Sequence, residues 1–302
     1  MNILVSGSTG LIGSELVSFL TTKGHNVARL KRSKSGSESK FGDAEVSWDP
    51  DNNKVDINGL EGHEAVVHLA GENIAGIWTK EKKNKIRKSR VNGTRLLSKS
   101  LSELVRPPKV LICASAIGFY GNRGDEILTE ESNPGQGFLA EVCREWEAAA
   151  EPAVQKGIRV VHLRFGLVLS PKGGALKAML PPFRKGAGGT IGSGKQYLSW
   201  VAIDDVVEAI YLGIANEKLK GPVNVVAPNP VTNHEFTKTL GRVLGRPTLL
   251  RVPAFALRIL AGEMADEMLL ASTRVEPKRL LATGYKFRYP DLEGALRHLL
   301  EK

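Results

Sequence analysis

Val5-Ser-Gly7-Ser-Thr-Gly10-Leu-Ile-Gly13 decides how this chain is built. It follows a short apolar run at residues 2–5 and leads into a segment with helical spacing of apolar residues, 11–23. A glycine triplet between a strand and a helix has a definite physical use. Gly7 permits the tight turn, and Gly10 lets the backbone approach a pyrophosphate resting on open N–H groups at the helix start. Gly13 allows the helix to pack closely on the strand. Ser8, Thr9, Leu11 and Ile12 complete the loop expected to hold the phosphates.

Strand and helix signals alternate beyond this loop. Residues 26–30 read as the next strand and 31–40 as a polar loop. Ala65-Val-Val-His-Leu-Ala70 has the continuous apolar character of a strand buried on both faces. A basic helix covers about residues 80–104, and Pro107-Pro108 bar its continuation. Residues 110–114 read as a strand, 138–154 as a helix and 159–165 as a strand. This order predicts an α/β fold built on a Rossmann doubly wound parallel sheet. After about residue 170 the rhythm loosens through Pro181-Pro182 and the glycine-rich stretch 185–195, and short mixed elements follow from Val231. They predict a smaller α/β C-terminal substrate lobe. A helix at 203–216 is expected to pack on the sheet. The dinucleotide domain then comprises residues 1–170 with about 200–228, and the lobe comprises 171–199 and 229–302. A substrate is expected in the cleft between them.

The end of the second strand chooses the cofactor. A carboxylate there reads a ribose 2'-hydroxyl, but this chain has Ala28-Arg29-Leu30-Lys31-Arg32. Arg29 and Arg32 suit a 2'-phosphate instead, through charge-assisted hydrogen bonds. NADP(H) is therefore the expected cofactor. The chain's 42 Lys and Arg against 32 Asp and Glu give a net charge of +10, which suits that phosphate and an anionic substrate alike. The densest basic run, Lys80 to Arg90, reads as a solvated helix face, and no aromatic or helix-turn-helix pattern beside it suggests a nucleic-acid partner. Two cysteines, Cys113 and Cys143, and six scattered histidines give neither a disulfide framework nor a metal site. No apolar run reaches membrane-spanning length, and a strand begins just behind Met1. No membrane partner and a cytoplasmic location are expected.

On these and further motifs the chain resembles the extended short-chain dehydrogenase/reductase superfamily. Within it, the chain resembles the NAD(P)-dependent epimerase/dehydratase family, in the branch of short-chain dehydrogenase family 39U member 1. The matching pieces include His68-Leu-Ala-Gly-Glu-Asn73, Ala114-Ser-Ala-Ile-Gly-Phe-Tyr-Gly121, Trp146-Glu147, Leu163-Arg-Phe-Gly166 and Trp200-Val-Ala-Ile-Asp-Asp205. Val275-Glu-Pro-Lys-Arg-Leu280 and Gly284-Tyr-Lys-Phe287 fit that branch's small C-terminal domain. The resemblance implies that Leu69, Ala70 and Gly71 line the adenine and ribose side, with Glu72 extending toward the cleft. It implies that Phe165 lies near the nicotinamide and that Arg90 reaches the same region. Ser115 matches the superfamily's serine or threonine that hydrogen-bonds a substrate carbonyl or hydroxyl.

Related oxidoreductases carry a tyrosine and, four residues later on the same helix face, a lysine that lowers its pKa. This chain has Phe138 and Val142 at that place, and none of its five tyrosines is followed by a lysine at that interval. The candidate substitutes are Tyr120, beyond Ser115, Glu141 or Cys143 on the helix itself, and Ser115 assisted only by a water and a nearby arginine. The stretch 186–194, with Arg184, Lys195 and Gln196, is expected to form a mobile loop on the substrate side. Asp204-Asp205 are expected to cap the helix they head. The sequence thus supports an NADP(H)-dependent oxidoreductase or nucleotide-sugar epimerase-like enzyme acting on a small polar, anionic substrate, with Ser115 and Tyr120 as its catalytic candidates. A rival reading is a non-catalytic NADP(H)-binding sensor or scaffold, of the kind that the branch's label of cell-division inhibitor suggests. The charge on the 80–90 helix opposes face-to-face pairing of that helix, which leaves monomer and homodimer both open.

Overall fold

The computed structural model describes residues 1–32 and 44–301. Most of the polar loop expected at 31–40 lies outside the described residues. The main sheet is built from β1 (Asn2–Ser6), β2 (Asn26–Arg32), β3 (Glu45–Asp49), β4 (Lys54–Val55), β5 (Ala65–His68) and β6 (Val110–Ala116), with two later strands, Arg159–Phe165 and Gly221–Val225. Their spatial order runs from Gly221–Val225 through Arg159–Phe165, β6, β5, β1, β2 and β3 to β4. Every pairing is parallel except the short β3–β4 ladder, so the sheet is mixed rather than wholly parallel. The chain steps outward from β1 to β3 and then returns to place β5 on the other side of β1. That reversal opens a crevice at the carboxyl ends of β1 and β5.

Helices cover both faces. On one, α1 (Leu11–Thr22) buries Leu16, Val17 and Leu20 against Ile3, Val5 and Val67, next to the helix Ile203–Ala215. On the other, α3 (Lys80–Ser102), which follows the one-turn α2 (Ile57–Leu60), seats Leu96, Leu97 and Leu101 over Leu4, Val66 and Leu111. The helix expected at 138–154 divides into α4 (Phe138–Ala148) and a short helix, Glu151–Gln155. Pro152 is the reason: it lacks an N–H, and its ring would collide with the Ala148 carbonyl in a continuous helix.

A separate apolar cluster carries the C-terminal lobe, whose Phe236, Leu240 and Leu296 pack together with Trp200 and Ala202. Asp204 and Asp205 lie in the first turn of their helix, where they meet its dipole, but Asp205 does not cap it as expected. Its carboxylate is fully buried and accepts from the N–H groups of Arg288 (2.7 Å) and Tyr289 (3.1 Å) and from the Tyr285 hydroxyl (3.1 Å). Burial raises its pKa in spite of these bonds. The residue pins the C-terminal segment to the sheet domain. Among the described residues no helix is long and apolar enough to cross a membrane.

Candidate functional site

The glycine loop has the geometry its spacing predicts. Gly7 sits at φ +67°, and a side chain there would come within 2.8 Å of the Leu69 backbone. A Cβ on Gly13 would lie 2.2 Å from the Gly7 carbonyl oxygen. Gly10 heads α1 with no side-chain cap, and the first turn holds no acidic residue. The open N–H groups therefore keep their positive end for an anion. Ser6 locks the loop from below. Its Oγ accepts from the Leu69 and Ala70 N–H groups (3.1 and 3.3 Å), so its own hydrogen goes to His68 Nδ1 at 2.7 Å. That assignment puts the imidazole hydrogen on Nε2, which has no hydrogen-bond partner among the described residues. Burial pushes the His68 pKa down to about 4, keeping the ring neutral.

Two cavities open from this loop. One, of about 350 Å³, is lined by Gly7 to Gly10, Leu69 to Glu72, Lys31, Arg32 and Trp48. It gathers most of the residues expected on the adenosine side. Arg32 lies 4.0 Å from Asp51 in an exposed pair of little energetic weight, and Lys31 pairs with Glu45. Arg29 is exposed and stands outside both cavity linings. Trp48 also lines this cavity. It comes from β3, a strand that sequence reading did not find, and meets His68 edge-on at 5.7 Å.

The larger cavity, of about 490 Å³, has two walls. The first is the loop Gly7 to Gly13 with Leu69 and residues 165–168. The second comes from α4 and the C-terminal lobe, with Leu139, Val142, Met268 and Ala271. Arg90 and Ser115 also reach it. The Arg90 guanidinium lies 5.1 Å from the Trp146 ring centre, and its Nη1 donates to the carbonyls of Glu72 (2.9 Å) and Ile86 (3.3 Å). Burial lowers its pKa.

Ser115 begins a buried polar chain. Its hydroxyl donates to Glu147 Oε1 at 2.7 Å. The same carboxylate receives Arg164 Nε and Nη2, both at 2.8 Å. Arg164 Nη1 donates to the Tyr120 hydroxyl at 3.0 Å, which donates in turn to Asn224 Oδ1 at 2.7 Å. Tyr120 is fully buried, lies outside the cavity lining, and has its pKa raised by burial. It stands behind Ser115 in one network rather than facing the cleft. Glu147 and Arg164 were visible only as parts of family motifs, with no role attached.

The substitutes on α4 separate. Cys143 faces the cavity, but burial pushes its thiol up to about 12, so it behaves as a small apolar group. Glu141 turns outward and meets Arg87 at 3.0 Å. Phe138 and Val142 are buried, Phe138 edge-on to Trp78 at 5.3 Å. The N-terminus of α4 has no local cap. Instead Glu267, from the C-terminal lobe, accepts from the N–H groups of Phe138 (2.7 Å) and Leu139 (2.8 Å). The glycine-rich stretch 186–194 does not reach the larger cavity. Gly189–Ile191 pairs with Leu250–Val252, and Gln196 is buried with its amide on the carbonyls of Ile191 and Leu269. Among the described residues no cluster of three or more His, Cys, Asp or Glu is arranged to hold a metal.

Comparison with known proteins gives consistent matches over the whole chain. The model of the NAD dependent epimerase/dehydratase family matches residues 3–227, and that of a domain of unknown function, DUF1731, matches 252–299. An epimerase family protein of Mycobacterium bovis is 42% identical over 296 residues, covering 97% of this chain and 96% of its own. The human epimerase family protein SDR39U1 is 34% identical over 304 residues, 99% of this chain and 100% of its own. A crystal structure of that human protein with NADPH superposes with a TM-score of 0.89 at 33% identity, covering 100% of both chains. The UDP-glucose 4-epimerase of Thermus thermophilus in complex with NAD gives 0.78 at 21% identity, covering 100% of this chain and 99% of its own, a likeness of fold.

Proposed function

The chain belongs to the NAD-dependent epimerase/dehydratase family, and on that premise we propose that it is an NADP(H)-dependent oxidoreductase or epimerase-like enzyme for a small anionic substrate. The observation that carries this reading is the Ser115–Glu147–Arg164 chain opening on a cavity beside the dinucleotide loop. NADP(H), when bound, supplies or accepts the hydride.

The chain's own groups do the rest. The loop Gly7 to Gly13 holds a pyrophosphate on the α1 N-terminus. Arg32 and Lys31 meet a 2'-phosphate at the adenosine-side cavity, and the NADPH in the human relative's crystal structure supports that choice. Arg29 is assigned no contact. Ser115 gives its hydrogen to Glu147 and so turns its lone pairs toward the cavity. A substrate hydroxyl donates to Ser115 Oγ. As its proton crosses, the Ser115 hydrogen passes to Glu147, which becomes a neutral carboxyl still held by Arg164. Reduction returns the proton along the same two bonds. Arg90, the one cation in the larger cavity's lining among the described residues, receives the substrate's negative group.

The rival, a dinucleotide-binding sensor, draws support from Phe138 and Val142 in place of a phenol and an ammonium. Deuterium at C4 of NADPH separates the two. The protein is incubated with labelled NADPH and a metabolite extract, and the extract is analysed by mass spectrometry. Label appearing in a metabolite, and lost with Ser115→Ala, supports the enzyme. Tight NADPH binding with no transferred label favours the sensor.

A further inference from the structure

The larger cavity has a wall that a sugar nucleotide does not need. Beside the dinucleotide loop its lining holds Ile74, Leu139, Val142, Leu198, Met268 and Ala271, carbon side chains apart from one thioether, with the neutral hydroxyl-bearing Tyr197, Ser199 and Thr273 next to them. A diphosphate calls for several converging cations or N–H groups. Here the lining offers one cation among the described residues, Arg90. Its one carboxylate, Glu267, is committed to the α4 N-terminus and adds no donor. The bonds of Arg90 to the Glu72 and Ile86 carbonyls use Nη1 alone, which leaves the Nε–Nη2 edge, a fork matched to one carboxylate.

We propose that this second wall and Arg90 form a site for an amphipathic carboxylate, an apolar chain or ring with one carboxylate and a hydroxyl or carbonyl that reaches Ser115. The assignment rests on the NADP(H) reading of the first wall. The cavity, of about 490 Å³, is within the range of small-molecule sites and is shared between this ligand and the cofactor held on the first wall. Leu139 and Met268 come from different lobes but pack against the same apolar cluster, so both lobes contribute to this one face.

Calorimetric titration of the NADPH-loaded protein with decanoate, decanol and UDP-glucose tests this. Decanoate should bind saturably and at least tenfold tighter than decanol, and UDP-glucose should give no heat of binding. Leu139→Asp and Met268→Asp, two independent variants on separate elements, should each weaken decanoate at least tenfold. NADPH titration of each variant reports whether the fold and cofactor loop are intact. Decanoate affinity unchanged in both variants, decanol binding as tightly as decanoate, or UDP-glucose binding tighter than either would overturn the proposal. NADPH failing to bind the unmodified protein would overturn the cofactor reading instead, and is read from a separate titration.

Discussion

Glu147 holds Ser115 at 2.7 Å and Arg164 at 2.8 Å with the same carboxylate oxygen, so the hydroxyl facing the cavity is oriented by an ion pair behind it. Arg164 is 3% exposed and Glu147 14%. Removing one partner of such a pair leaves a buried charge uncompensated, a loss of about 3–5 kcal/mol. Glu147→Ala should destabilise the protein by that amount in urea denaturation, and Glu147→Gln by less, because it keeps the shape and an acceptor. A loss below about 1 kcal/mol for the alanine variant would mean that Arg164 is satisfied by water.

Arg32 lines the adenosine-side cavity and Arg29 does not. A hydrogen bond to a charged group contributes about 1.5–3 kcal/mol. Arg32→Ala should therefore weaken NADPH binding by roughly tenfold or more and leave NADH nearly unchanged. Arg29→Ala should alter neither. Fluorescence titration with both cofactors decides, and an equal loss for NADPH and NADH would remove Arg32 from the phosphate site.

Gly13 and Gly10 make an internal comparison. A methyl group on Gly13 meets the Gly7 carbonyl at 2.2 Å, while one on Gly10 lies 3.3 Å from the same atom. Gly13→Ala should cost about 1–3 kcal/mol by overpacking and abolish dinucleotide binding. Gly10→Ala should leave thermal stability nearly intact and weaken binding only where the pyrophosphate must approach. Identical melting temperatures for the two variants would contradict this difference in packing around the loop.

His68 is buried and neutral, with its pKa lowered from 6.5 to about 4. The unfolded chain binds this proton below pH 6.5 and the folded chain does not, so stability falls as pH drops through the window from 6.5 to about 4. The loss amounts to roughly 3 kcal/mol once the lower limit is passed. Burial lowers His63 and His162 in the same direction. His68→Asn should flatten the pH profile of urea stability in that window, whatever it does at pH 7. An unchanged slope would show that His68 takes its proton inside the fold.

What was legible in the sequence was local. The glycine loop, the apolar β5 and the strand Arg159–Phe165 are each written in consecutive residues. β3 escaped because Glu45-Val-Ser-Trp-Asp49 buries only alternate residues and is too short for a periodic signal. Gly221–Val225 escaped because its Pro222 argues against a strand, and it is tolerated there at the sheet edge. Within the site, Ser115 and Arg90 could be named from motifs, but the partners that orient Ser115 could not. Glu147 reaches it from α4, 32 residues on, and Arg164 from the next strand of the sheet. Tyr120 shows the limit of such reading. A loop tyrosine near a cleft looks the same in sequence whether its hydroxyl faces the cleft or, as here, is enclosed by Arg164 and Asn224.

The bonds from Phe138 and Leu139 to Glu267 span 129 and 128 residues. Every strand of the main sheet and the whole dinucleotide loop precede residue 267 in the chain, so they are synthesised before the group that caps α4. The first turn of α4 is therefore completed only by a residue made well after the dinucleotide loop, so the substrate side of the cleft depends on a later stretch of chain than the cofactor side does.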